Sequence, residues 1–152
     1  MSSINRNLFK RFVLTIFILG CVLERFRLID GAMTLEQMQK TAIGIRNSCI
    51  TKTGVKTELV DGLKTGQFPE DHDLQCYTQC VMKTIRTFKN QKVDVDMVIK
   101  QVEMMMPVDM QDAMKASAKK CGALEPADDI CVTAFNYVKC NYNENPDIFF
   151  FP

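Results

Sequence analysis

The chain reads as an all-α fold, a compact domain of six helices stapled by disulfides around a central apolar pocket, with the C-terminal tail folded over or into it. Three observations lead there. Apolar residues recur at helical spacing through most of the chain, with no alternating pair of runs that would make a strand hairpin. The cysteines become an even six once an N-terminal leader is set aside. Methionines and a terminal Ile-Phe-Phe-Phe run supply more adaptable apolar surface than a plain core needs.

The leader comes first. Arg6, Lys10 and Arg11 precede an uninterrupted apolar run, residues 12–23, that is too short to span a bilayer. This is the form of a secretory signal peptide. The best exit is after Ala32, although Asp30 fits the −3 position poorly, so the expected division is a leader at 1–32 and a domain at 33–152. An uncleaved anchor is the competing reading, disfavoured by the length of the run. Cleavage removes Cys21 and leaves Cys49, Cys76, Cys80, Cys121, Cys131 and Cys140. Six thiols on an exported chain read as three disulfides, and sequence cannot choose among their fifteen pairings.

The first helix starts from the capping-box form Thr34-Leu35-Glu36-Gln37 and runs to about Cys49, with Leu35, Met38, Ala42 and Ile45 on one face. Thr57 can cap a short second helix that Gly66 ends. The third begins at the acidic group 70–73, where negative charge suits the helix dipole. It carries an apolar stripe of Leu74, Tyr77, Val81, Ile85 and Phe88 beside a second stripe of Cys76, Cys80, Thr84 and Thr87. Cys76 and Cys80 project about 40° apart on this helix, so each reaches outward to another segment. That makes the third helix the hub.

Asp94 or Asp96 can cap a fourth helix that Pro107 ends, and Asp109 a fifth that closes at Cys121-Gly122. Pro126 falls near the first turn of a sixth, on which Cys131 and Cys140 face about 180° apart. Residues 141–146 read as a turn before the aromatic tail.

Composition excludes several functions. The leader takes five of the 19 basic and two of the 18 acidic residues, leaving 14 and 16, which is not the balance of a nucleic-acid binder. No GxSxG, HExxH or P-loop occurs, and the cysteine spacings with a lone histidine do not make a zinc site. No catalysis, metal or cofactor is therefore expected. His72, between Asp71 and Asp73, has two readings: a candidate pH switch near a pocket entrance, or a solvated residue beside acids. The methionines crowded around Pro107 suit an adaptable cavity, or else ordinary core. The tail run should fold back over the domain, since contiguous exposed apolar surface is a liability.

The spacing C-x26-C-x3-C-x40-C-x9-C-x8-C resembles the insect odorant-binding proteins of the six-cysteine pheromone/general odorant-binding type. The start MTLEQ, the segment Cys76-Tyr77-Thr78-Gln79-Cys80-Val81 and the twelve-residue tail after Cys140 look most like its Lush-like group. The resemblance implies the pairing Cys49–Cys80, Cys76–Cys131 and Cys121–Cys140. It implies a pocket for a small hydrophobic ligand, an odorant or pheromone, with Ile45, Met82, Ile85, Phe88 and Phe151 in its wall. In that group a hydroxyl at the position of Thr87 can bind alcohols. A second hydroxyl is replaced here by Met82, which favours larger, more apolar ligands. Val102, Met105, Met114 and Phe135 join the wall from helical facing. The implied role is secreted, extracellular transport, with a membrane chemoreceptor as a further partner and both monomer and weak homodimer open. A secreted helical interaction or signalling protein without a cavity is the alternative.

Overall fold

The computed structural model describes Arg11 and residues 35–152, with side chains from Gln39 onward in the domain. The leader, its cleavage site, Cys21, Thr34 of the capping box and the side chains of Leu35 and Met38 lie outside the described residues. Within the unit Met33–Pro152, six α-helices are α1 Leu35–Thr53, α2 Thr57–Gly62, α3 His72–Thr84, α4 Val95–Met105, α5 Val108–Gly122 and α6 Ile130–Glu144. Short 3-10 turns follow α2 (Leu63–Thr65) and α6 (Pro146–Ile148).

Local chemistry explains most boundaries. Gly54 at φ +73° ends α1 and donates its N–H to the Ile50 carbonyl, so the helix runs to Thr53, four residues past the expected end at about Cys49. Gly66, at φ +77°, ends the turn after α2; a Cβ there would also fall 2.6 Å from the Tyr142 ring. The Asp71 carboxylate accepts from Leu74 N–H at 2.9 Å and starts α3, and Asp94 accepts from Met97 N–H to start α4.

Elsewhere the boundaries depart from the sequence reading. Lys56, not Thr57, is the residue before α2, and it makes no side-chain cap. Pro107 occupies the cap position of α5, so Asp109 lies inside the first turn, where its charge still favours the helix. Asp129 caps α6 by accepting from Cys131 N–H at 2.7 Å, which leaves Pro126 outside it. That helix runs through 141–144, which the sequence reads as a turn.

The hub helix stops at Thr84, before Thr87 and Phe88. Arg86 takes φ +64°, its N–H bonds to Lys83 O, and Thr87 N–H bonds to Met82 O at 2.8 Å. This is a Schellman stop with arginine where glycine is usual. A two-residue hairpin follows, β1 Phe88–Lys89 paired with β2 Lys92–Val93, contrary to the expectation of none. Asn90 and Gln91 at its tip both have positive φ, as a type I′ turn requires.

The α3 helix packs most heavily on α6 and next on α1, while α4 and α5 form a hairpin of their own. Disulfides Cys49–Cys80, Cys76–Cys131 and Cys121–Cys140 join α1 to α3, α3 to α6 and α5 to α6. One core cluster holds Cys49, Val55, Val60, Leu63, Leu74, Tyr77, Val81 and Phe135; a second holds Met82, Phe88, Cys121, Ala134, Tyr137 and Val138. Side chains of this size stabilise the fold by roughly 1.5–3 kcal/mol each when fully buried.

Candidate functional site

A cavity of about 480 Å3 opens beside the C-terminal half of α3. Its wall is drawn from α1, α3, α4, α5, α6 and the whole tail from Ile148 to Pro152. Five methionines face it, Met82, Met104, Met105, Met106 and Met114. They are there because α4 and α5 turn at Pro107, which brings Met104 to Met106 opposite Met114. Unbranched thioethers can rearrange around ligands of different shape.

Eight of the ten residues expected in the wall line this cavity: Ile45, Met82, Ile85, Thr87, Val102, Met105, Met114 and Phe151. Phe88 and Phe135 do not. The Schellman stop carries Phe88 off the helical stripe into β1, where it is buried in the second core cluster. Phe135 packs edge-on against Phe68 at 5.7 Å in the first cluster, on the side of α6 turned away from Tyr137.

The Thr87 hydroxyl is buried and donates to Met82 O at 3.1 Å. Its single proton is therefore committed, and only its lone pairs can meet a ligand.

Polar residues complete the wall, and periodicity of apolar residues gave no signal for them. Ser117 donates its hydroxyl toward Met114 O and Asn141 Oδ1, both at 3.0 Å. The Asn141 amide donates to Tyr137 O at 2.9 Å, and the Gln101 amide to Ile85 O at 2.5 Å. Tyr137 lines the cavity as well, and its hydroxyl is buried without a hydrogen-bond partner among the described residues. Burial pushes its phenol up to about 12, against a smaller opposing effect of the neighbouring Asn141 side chain. That side chain comes near the phenol without closing a hydrogen bond to it; one of its two amide protons goes to Tyr137 O, and its oxygen accepts from Ser117. Among the described residues, no Asp, Glu, Lys, Arg or His lines the cavity.

The tail is held at both ends of its run. The Tyr77 hydroxyl, on the dense side of α3, donates to Pro152 O at 2.6 Å, and burial raises its phenol far above the ordinary tyrosine range. Phe151 lies edge-on to Tyr77 at 6.3 Å, and Phe149 edge-on to Tyr142 at 5.2 Å.

His72 is elsewhere. It opens α3, two-thirds exposed, with Nδ1 3.7 Å from Asp129 Oδ2 and Nε2 3.6 Å from Cys76 Sγ. It is not among the residues that line the cavity, and its exposure beside Asp129 matches the reading of a solvated residue beside acids.

A second hollow, lined by Met110 with Asp109, Glu144 and Asp147, is acidic and lies between α5 and the end of α6. No group of three His, Cys, Asp or Glu residues among the described ones could hold a metal ion.

Known proteins share this arrangement. Residues 31–144 match the model of the PBP/GOBP family. A 120-residue stretch is 31% identical to general odorant-binding protein 72 of Anopheles gambiae, covering 78% of this chain and 99% of that one. The solved structure of Apis mellifera odorant binding protein 5 is similar at 45% identity and a TM-score of 0.76, over 80% of this chain and 99% of that chain. Odorant binding protein 4 of Chrysopa pallens is similar at 33% identity and a TM-score of 0.72, over 79% and 99% respectively.

Proposed function

The chain belongs to the PBP/GOBP family, and from that premise we propose that it is a secreted carrier, which binds one small hydrophobic molecule, an odorant or pheromone, and ferries it through extracellular fluid. The observation that carries this reading is the largely apolar cavity of about 480 Å3 walled by five methionines and bordered by the aromatic tail. A volume of that order suits a small ligand.

Export would remove the leader at 1–32, and three disulfides suit an oxidising medium. Ile45, Met82, Ile85, Val102, Met105, Met114 and Phe151 are the proposed ligand contacts, with Thr87 accepting from a ligand hydroxyl. Binding would come mainly from apolar surface removed from water, at roughly 25 cal/mol per Å2. The carrier is proposed as a monomer or a weak homodimer. Delivery to a membrane chemoreceptor is the proposed destination, and no bond in the ligand is made or broken. A helical signalling protein would close its core, and the cavity favours the carrier over that alternative.

Displacement of an apolar naphthylamine fluorophore by terpenes, esters, long alcohols and fatty acids tests the reading. At least one of these classes should displace the fluorophore at micromolar concentration. A fluorophore that never binds, or that no apolar compound displaces, contradicts it.

A further inference from the structure

We propose that Tyr137 is the polar anchor of the cavity, and that it selects neutral ligands bearing a carbonyl or ester oxygen on an apolar body. The proposal rests on the carrier reading and adds to it the chemical class of the ligand.

Most hydroxyls around the wall are committed within the protein. Thr84 donates its hydroxyl to Cys80 O, Thr87 to Met82 O, and Ser117 toward Met114 O and Asn141 Oδ1. The amides of Gln101, Asn141 and Asn145 each give one of their two protons, to Ile85 O, Tyr137 O and Ala113 O respectively. Tyr137 is 7% exposed, lines the same cavity, and holds a hydroxyl with no hydrogen-bond partner among the described residues. A buried donor left unpaired forfeits its hydration without return, so a ligand oxygen that accepts from it restores the lost bond. Burial keeps the phenol protonated well above neutral pH, which makes it a standing donor.

Charge narrows the class. Among the described residues no Lys, Arg or His faces the cavity, so a carboxylate would be desolvated without a counter-ion. A hydrocarbon leaves the phenol unpaired. An alcohol can accept from Tyr137 but must also place its own proton, whereas a ketone, aldehyde or ester oxygen only accepts. The apolar part of the wall supplies affinity without distinguishing these headgroups.

The test uses the oxidised protein, the naphthylamine fluorophore, and three competitors of equal length at about pH 7: 2-decanone, decane and decanoate. The ketone should bind about tenfold tighter than either of the others, the yield of one additional neutral hydrogen bond. Tyr137→Phe should bring the ketone to within about twofold of decane and leave decane unchanged. Because it deletes an unpaired polar group without changing volume, the empty Tyr137→Phe protein should melt at the same temperature or higher. A ketone preference that survives Tyr137→Phe overturns the proposal, as does decanoate binding as tightly as the ketone. A lower melting temperature for the empty variant would show the hydroxyl already partnered and would also overturn it. If the wild-type protein binds neither fluorophore nor competitors, the carrier reading itself falls, and the anchor with it. If it binds all three competitors alike, only the anchor falls.

Discussion

On one side of α3, Leu74, Tyr77 and Val81 are packed to zero exposure, and disulfides from Cys76 and Cys80 tie the helix to α6 and α1. On the other side, Met82, Ile85 and Thr87 border a cavity of about 480 Å3 whose far wall is the methionine-rich α4–α5 hairpin. The same helix thus serves two purposes with two kinds of side chain. Branched and aromatic residues with crosslinks fix its position, and unbranched thioethers leave room to adapt. Rigidity on the first side is what allows looseness on the second without losing the fold. Phe151 spans both, since it lines the cavity and packs on the Tyr77 cluster.

The contrast breaks most severely at the crosslinks. Cys76–Cys131 closes the longest loop, 55 residues, and the double variant Cys76→Ala/Cys131→Ala should lose about 4 kcal/mol of unfolding free energy on the chain-entropy model. Urea titration measures this, and the loss should exceed that for Cys121–Cys140, whose loop is 19 residues.

Paired truncations separate the two sides. Leu74→Ala should cost about 3 kcal/mol while leaving the affinity of a bound apolar compound within about twofold, because a fully packed site cannot collapse around the void. Met105→Ala, which enlarges a space already present, should cost about 1 kcal/mol or less but alter the ranking of ligands by size. Equal stability losses at both positions would mean that the two sides are not packed differently.

Smaller effects concern the tail. Tyr77→Phe removes the bond to Pro152 O, costing about 1 kcal/mol, and should speed amide exchange in residues 148–151. Alkaline titration adds a check on both buried phenols. Below about pH 10 they are neutral in the folded and unfolded chain alike and contribute no pH dependence. Above that, the unfolded chain ionises first, while burial keeps Tyr137 protonated to about 12 and Tyr77 further still. The folded state then holds more protons, so stability should fall as pH rises from about 10, and less steeply in Tyr77→Phe and Tyr137→Phe. The smallest effect is expected at His72. His72→Gln should leave ligand affinity and its pH dependence unchanged, since the imidazole is outside the cavity wall.

How far the sequence carries can be seen along α3 itself. Its start was legible in the acidic group 70–73, because a carboxylate cap has a local signature. Its end was not, because the Schellman stop uses Arg86 at a position where glycine is the readable signal, and the apolar spacing continued through Phe88. That one boundary put Phe88 on the wrong surface. Thr87 stayed at the wall because the bond from its hydroxyl to Met82 O holds it against the helix end. The cysteine spacing and the aromatic tail were legible at the scale of the whole fold. Ser117, Tyr137 and Asn141 were not, since polar residues at a cavity wall carry no period and α6 outran the turn-like residues 141–144 that seemed to close it.

Methyl resonances of the methionines offer the most direct measurement of where a ligand goes. Met82, Met104, Met105, Met106 and Met114 face the cavity, whereas Met110 lines the acidic hollow and Met97 lines neither. On saturation with 2-decanone, the first five methyl signals should shift and those of Met97 and Met110 should stay in place. Shifts confined to Met97 and Met110, or spread evenly over all seven, would contradict a ligand bound between α3 and the α4–α5 hairpin.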